Sequence, residues 1–206
     1  WFRDNFAGGE LAAESAGGAN AYAALAELAA ASPLGAHGLV ALPYFAGERT
    51  PMFDPDAKGL LLGLTLSHTR GDVYRALLES VGYGIRHNLD AMRAEEMAPA
   101  RILAVGGGTL NRVWMQMVSD IAGIEQHIPA QQIGAAYGDA FLAGVGVGLF
   151  DSTRDAGRWV QTKEVVRPID QTHALYSRYY EIYRQVYRET AGTMHKLGEL
   201  AQRSRL

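Results

Sequence analysis

The chain of 206 residues is 48% hydrophobic and 20% charged, with a formal charge of −3 at pH 7. These proportions allow a continuous apolar core and exclude a disordered chain, while the negative charge argues against binding to nucleic acids or membrane surfaces. No apolar run is long enough to cross a bilayer, and the absence of cysteine excludes disulfides and thiolate metal sites, so a cytoplasmic location is expected.

The N-terminal segment opens with the aromatic residues Trp1 and Phe2, where a complete protein usually starts with Met and polar residues. We therefore expect the chain to be a piece of a longer protein. The first clear element is a helix over Ala21–Ala31, because this stretch is rich in alanine and places apolar side chains three residues apart.

Two short apolar strands are predicted next, over residues 38–42 and 60–66, with a polar, proline-containing loop over 46–58 between them. A long helix follows over 70–96, since Thr69 can cap it and apolar side chains recur every three or four residues. Its predicted buried stripe consists of Val73, Leu77, Val81, Ile85, Leu89 and Met92.

The second half of the chain continues the alternation of strands and helices. The predicted elements are a strand over 101–105, a helix over 110–122, a strand over 126–128, a helix over 135–147, an edge strand over 164–167 and a helix over 172–202. The last helix is predicted to bury Leu175, Tyr179, Ile182, Tyr183, Val186, Thr190 and Met194. This order predicts one α/β domain over residues 1–206, with helices packed on a mostly buried sheet.

The strongest chemical signal is the run of Gly106, Gly107 and Gly108 between a strand and a helix. Glycines there let the backbone approach a ligand closely, and a helix N-terminus favours a phosphate. Asn111 follows, where its side chain can bind a purine or a ribose, or simply cap the helix. A turn that serves only tight strand–helix packing explains the run equally well. A Rossmann site is disfavoured, because Asn111 replaces its third glycine and Glu125 begins the next strand instead of ending it.

Two further segments are distinctive. The loop that contains Glu48-Arg49-Thr50 is charged and stiffened by prolines, which suits the border of a ligand site; residue types alone favour a solvated loop with internal Arg–Asp pairing. Small residues over 134–138 open a helix, as is typical of close packing. The 6 histidines show no metal-ligand spacing, so no metal site is predicted. The tyrosines of the last helix are predicted to form its packing face.

Taken together, these segments resemble the C-terminal domain of the FGGY family of carbohydrate kinases, and xylulokinase-like members in particular. The matching pieces are residues 42–51, 59–64, 72–79, 105–108 with Asn111, and 134–138. Their order and spacing extend the resemblance from residue 1 to about residue 190, which makes it far more specific than any single motif.

The resemblance implies an actin-like, ribonuclease-H-type fold, as the C-terminal lobe of a two-lobed sugar kinase that is incomplete at its N-terminal side. It implies ATP with Mg²⁺ as cofactor, with Gly106, Gly107 and Gly108 against the nucleotide and Asn111 towards the adenine. A larger side chain at Gly108 is accordingly expected to crowd the nucleotide. The segment 134–138 would pack at the interdomain hinge, and the Glu48-Arg49-Thr50 loop would face the cleft.

In this family the catalytic aspartate and the sugar-binding residues lie in the N-terminal half, so no catalytic residue is predicted here. We expect the chain to be part of an ATP-dependent kinase for a ketopentose such as D-xylulose, and to be inactive alone with at best weak affinity for ATP or ADP. A kinase for another ketose or polyol, such as ribulose or glycerol, a non-catalytic actin-like nucleotide-binding module, and a structural domain with a glycine-rich turn stay open as alternatives. The oligomeric state also stays open, a homodimer included.

Overall fold

The computed structural model of the protein describes residues 1–99, 101–131 and 134–204, with the side chain of residue 158 left out. The described elements are α1 (Phe2–Phe6), α2 (Gly8–Ser15), α3 (Ala21–Ala31), β1 (Val40–Leu42), β2 (Leu60–Leu62), α4 (Arg70–Ala94), β3 (Ile102–Leu103), α5 (Arg112–Ala122), β4 (Gln126–Pro129), α6 (Ala135–Gly146), α7 (Ala156–Trp159), β5 (Thr162–Val166) and α8 (Asp170–Arg203), with 3₁₀ turns at Ala36–Gly38, Gly107–Leu110 and Thr153–Asp155. The predicted order of strands and helices is confirmed, although β2 and β3 end earlier than expected. None of the described helices has the length and apolarity that crossing a membrane requires.

The strands form two small sheets. Strand β1 pairs antiparallel with β2, and β4 lies between β3 and β5, parallel to the first and antiparallel to the second. Because β4 is the one strand of the described residues with which β5 pairs, the edge position predicted for β5 is confirmed. Helices pack around both sheets, so the mixed α/β class predicted from the sequence is also confirmed.

Two buried side-chain hydrogen bonds join the three-stranded sheet to helix α5. Gln126 of β4 donates from Nε2 to the carbonyl oxygen of Met115 in α5, at 2.8 Å. Ser119 of α5 donates from Oγ to the carbonyl oxygen of Val166 in β5, at 3.0 Å. These bonds satisfy polar groups that burial would otherwise penalise, and they hold α5 in a fixed position against the sheet.

Helix α4 begins with the cap that the sequence predicts. Thr69 Oγ1 accepts from the amide of Asp72 at 3.3 Å, and the Asp72 carboxylate accepts from the amide of Thr69 at 2.7 Å. Ser32, at the end of α3, donates to the same carboxylate at 2.5 Å. Burial alone raises the pKa of Asp72, but the bonds from Ser32 and Thr69 outweigh it and hold the pKa at about 2.

We expect Asp72→Asn to lower the free energy of unfolding by roughly 2 kcal/mol at pH 7, because the folded state stabilises the ionised carboxylate. The folded pKa of about 2 lies below the ordinary value of 3.8, so this stabilisation is complete above that value and is lost as the pH falls towards 2. Urea unfolding of both proteins between pH 7 and pH 3 measures the difference. A deficit of the same size at every pH would contradict the prediction.

The buried face of α4 differs from the predicted stripe. Among the six predicted side chains only Leu89 is buried, whereas Val81 and Met92 are 38% and 46% exposed. The predicted Val73 and Leu77 are partly buried and pack against the core, but the buried side chains of the helix include Tyr74, Leu78 and Tyr83 together with the charged Arg75 and Glu79. Apolar periodicity missed this face because two of its buried positions hold an ion pair.

The buried face of α8 agrees with the prediction in part. Tyr183, Val186 and Met194 are buried as predicted, but Leu175 and Ile182 are exposed. The predicted packing face of tyrosines is confirmed, since Tyr176, Tyr180 and Tyr183 are each 1% exposed. The face is shifted by about one position because the large rings fill the space against α4, and smaller aliphatic side chains lie beside them.

Within this aromatic cluster, the hydroxyl of Tyr83 is buried without a hydrogen-bond partner among the described residues. A buried, unpaired hydroxyl costs free energy that its aromatic ring does not. We therefore expect Tyr83→Phe to maintain the free energy of unfolding or raise it by up to about 1 kcal/mol. Chemical denaturation checks this, and a loss of stability in Tyr83→Phe would show that the hydroxyl does have a partner.

Candidate functional site

The glycine run forms a tight turn between β3 and α5. Gly106 has a φ of 88°, a value that favours glycine, and Gly107–Leu110 form one 3₁₀ turn. The amide and the hydroxyl of Thr109 both donate to the carbonyl oxygen of Gly106, at 3.1 and 2.7 Å. The predicted start of the helix near Leu110 is wrong by about two residues, because α5 begins only at Arg112 after this turn.

The three glycines have different surroundings. A Cβ atom built on Gly106 or Gly107 would meet no atom of the described residues within 4 Å, so both positions border open space in this part of the structure. A Cβ atom on Gly108 would lie 2.6 Å from Cζ3 of Trp114. The expectation that a side chain at Gly108 would crowd a ligand needs correction, since it would first collide with the indole ring of the protein itself.

Asn111 is the N-cap of α5. Its Oδ1 accepts from the amide of Trp114 at 3.0 Å, which makes capping one role of this side chain. Its Nδ2 donates to no atom of the described residues, and the same holds for the amides of Gly107 and Gly108. The turn therefore presents three N–H groups that have no acceptor among the described residues: the amides of Gly107 and Gly108 and the Nδ2 group of Asn111. The surface beside them is open, because Gly106 and Gly107 carry no side chain.

A cleft of about 460 Å³ lies at the ends of β3 and β4. Val105, which directly precedes the glycine turn, lines it, but the predicted site residues Gly106, Gly107, Gly108 and Asn111 do not. It is lined by Leu103, Val105, Pro129, Ala130, Gln131, Gly134, Tyr137, Gly138, Trp159, Val160 and Gln161. The rings of Tyr137 and Trp159 lie 4.9 Å apart on its wall. None of these lining residues is charged, so the cleft suits a flat, uncharged group, and the glycine turn next to it suits a group that accepts hydrogen bonds.

The segment 134–138 contributes Gly134, Tyr137 and Gly138 to the lining of this cleft. Gly134 has a φ of 64° and immediately precedes α6. The segment therefore borders open space as well as opening a helix. The hinge role that the sequence resemblance implies for it stays a prediction.

The loop that contains Glu48-Arg49-Thr50 is anchored to α8. Its Asp54 accepts hydrogen bonds from the hydroxyl of Tyr187 at 2.7 Å and from Nε2 of His195 at 2.8 Å. The Glu48 carboxylate accepts from the amide of Arg49 at 2.8 Å, while Arg49 forms no ion pair with any described residue. The predicted internal Arg–Asp pairing is wrong, because α8 supplies the partners of the aspartate instead. The position of this loop at a cleft stays a prediction.

Comparisons with known proteins show what this chain is similar to. A sequence model of the FGGY family of carbohydrate kinases, C-terminal domain, matches residues 1–147. A xylulose kinase from Staphylococcus epidermidis is 34% identical over 164 residues, which are 79% of this chain and 33% of that protein. A glycerol kinase from Shewanella halifaxensis is 42% identical over 118 residues, which are 57% of this chain and 24% of that protein.

Among solved structures, that of xylulose kinase from Rhodospirillum rubrum is similar with a TM-score of 0.74 and 38% sequence identity. The match covers 85% of this chain and 35% of the other. The chain therefore spans about a third of the length of the xylulose kinases that it matches. Its mixed fold is that of a C-terminal, actin-like lobe fragment.

Proposed function

Because the chain belongs to the FGGY family of carbohydrate kinases, we propose that it supplies the nucleotide-binding side of an ATP-dependent sugar kinase. The observation that carries this proposal is the open face of the glycine turn. At Gly106 and Gly107 the backbone borders free space, and a ligand can approach it without meeting a side chain.

The turn and the cleft beside it divide the recognition of the nucleotide between them. The free amides of Gly107 and Gly108 suit the α-phosphate, because backbone N–H groups next to a helix N-terminus favour anions. The free Nδ2 of Asn111 suits an acceptor nitrogen of adenine while its Oδ1 continues to cap α5. The uncharged, aromatic cleft offers a surface for a base or ribose.

The sugar acceptor that we propose is a ketopentose such as D-xylulose, in line with the xylulose kinases among the relatives. Glycerol is the second candidate, because a glycerol kinase is 42% identical over 118 residues. Both are alcohols, and the chemistry on the nucleotide side is the same for either.

We propose that the chain alone does not transfer phosphate. Phosphoryl transfer relies on positioning and on charge stabilisation from both sides of the transferred group, and this chain supplies one side. The aspartate base would come from a lobe outside this chain. Mg²⁺ would neutralise phosphate charge and would arrive with ATP, since no group of three His, Asp or Glu side chains in the described parts of the chain could hold a metal ion.

A chimeric enzyme tests the proposal. In the Rhodospirillum rubrum xylulose kinase, the segment that matches this chain is replaced by residues 1–206, and ATP consumption is measured with D-xylulose and with glycerol. We expect activity that depends on the sugar in the chimera and none in the isolated chain. A folded chimera that binds no nucleotide would contradict the proposed nucleotide side, and turnover by the isolated chain would contradict its dependence on a second lobe.

A further inference from the structure

Trp114 lies directly beneath the glycine turn. The six-membered ring of its indole occupies the space next to Gly108, with Cζ3, Cε3 and Cη2 at 2.6, 3.3 and 3.6 Å from the place that a Cβ atom would take. Glycine is therefore required at this position by a contact within the protein, whereas at Gly107 the space is open. Gly108 therefore packs on the indole ring, whereas Gly107 faces open space.

The ring has a defined orientation. Its Nε1 donates to the carbonyl oxygen of Leu78 in α4 at 3.2 Å, and its amide donates to Oδ1 of Asn111 at 3.0 Å. One residue thus links the middle of α4 to the turn and also to the residue that caps α5. An indole held at both its ring and its backbone has little freedom to move away from the turn.

Trp114 also packs against two separate hydrophobic clusters. It packs against the main core, which includes Tyr83 and Met117, and against the smaller cluster of Met115, Ile128 and Val166 beside the sheet. The turn follows β3, and its Gly108 packs on the same ring. A shift of the indole would therefore displace the turn relative to the sheet and the helices together.

We propose that Trp114 is a positioning residue for the nucleotide: it holds the glycine turn in the shape that leaves the amides of Gly107 and Gly108 free for a ligand. This inference rests on the proposed function, because it assigns a role in the same site. Trp114 acts through the turn and needs no contact with the nucleotide itself.

A double-mutant cycle tests this role in the 206-residue chain. The variants are Gly108→Ala, Trp114→Phe and their combination, with Gly107→Ala alone and combined with Trp114→Phe as the matched control. Three quantities are measured for each: the dissociation constant of ADP, the hydrogen exchange of the Thr109 and Asn111 amides, and the thermal midpoint by circular dichroism. These two amides report on the turn because they donate to the carbonyl oxygens of Gly106 and Gly108.

We expect Gly108→Ala to weaken ADP binding by about tenfold and to speed exchange at the turn, because the new methyl group displaces the indole or the backbone. In the Trp114→Phe background the same substitution should cost much less, since the smaller ring leaves room. Trp114→Phe alone should weaken ADP binding more than a loss of overall stability explains. Gly107→Ala should have the same effect in both backgrounds, because its surroundings are open.

Additive effects of Gly108→Ala and Trp114→Phe would overturn the inference, as would a Trp114→Phe variant with a lower thermal midpoint but unchanged ADP affinity and turn exchange. Either of these two outcomes would overturn the role of Trp114 alone, and the proposed function would still be supported if the wild-type chain binds ADP. If the wild-type chain binds no ADP either alone or within the chimera, the proposed function itself fails, and the role of Trp114 towards a nucleotide fails with it. Coupling in hydrogen exchange alone would then establish only the packing contact.

Discussion

Gly107→Val is expected to weaken ADP binding by roughly 10- to 100-fold while changing the free energy of unfolding by less than about 1 kcal/mol. Gly107 has an ordinary backbone conformation and an open surrounding, so valine fits the fold and occupies the space in which we propose the nucleotide lies. Titration with ADP, followed by amide chemical shifts, measures the affinity. Chemical denaturation of the same samples measures the stability.

Two matched substitutions sharpen this test. Gly9→Val makes the same change at another exposed glycine with nothing within 4 Å, far along the chain in α2, and should leave ADP affinity unchanged. Gly108→Val should lower both affinity and stability, because its side chain collides with Trp114. Unchanged ADP affinity in Gly107→Val would contradict the placement of the nucleotide at this turn.

The second large effect concerns stability, and it follows from the buried ion pair in α4. Arg75 Nε donates to Glu79 Oε1 at 2.7 Å, and both residues are almost completely buried. The same carboxylate oxygen accepts from the amide of Gly35 at 3.1 Å and from the hydroxyl of Tyr176 at 3.0 Å. Arg75 also donates to the carbonyl oxygen of Ser32 at 2.7 Å, so the network joins the end of α3 to α4 and α8.

We expect Arg75→Met to lower the free energy of unfolding by about 3–5 kcal/mol, because it leaves the Glu79 carboxylate buried without its counter-charge. Tyr176→Phe should cost about 1–3 kcal/mol, since it removes one neutral donor from the same carboxylate. Urea unfolding at pH 7 measures both. The double variant Arg75→Met with Glu79→Leu should recover part of the loss, because no unpaired charge remains.

A double variant no more stable than Arg75→Met would contradict this account, since it would show that the unpaired carboxylate is not the origin of the loss. Complete recovery is not expected, because the carbonyl oxygens of Ala29 and Ser32 and the amide of Gly35 would lose their partners. The segment 72–79, which carries part of the family resemblance, thus has a structural role here: Asp72 caps α4 and the ion pair fixes its position.

The sequence predicted local features well where neighbouring residues decide them. The boundaries of α3, the cap of α4 by Thr69, the glycine turn after β3 and the tyrosine face of α8 are confirmed. Each depends on backbone preferences or on contacts between residues close in sequence. The family resemblance extended this to the fold, because the order and spacing of several motifs constrain one architecture far more than any single motif.

Only the tertiary structure decided which of these residues face open space and which face the protein. Gly107 and Gly108 are adjacent and identical in sequence, yet only Gly108 lies against an indole ring. The Asp54 carboxylate accepts from the amide of Asp56 on its own loop, but its side-chain partners, Tyr187 and His195, lie on α8, more than a hundred residues away. The buried face of α4 holds an ion pair, which hydrophobic periodicity cannot reveal. The partners of Asp54 and the groups that surround the ion pair lie on segments distant in the chain, and the indole beneath Gly108 is oriented by its bond to Leu78 in α4. Local sequence patterns carry no information on such contacts until the fold brings the segments together.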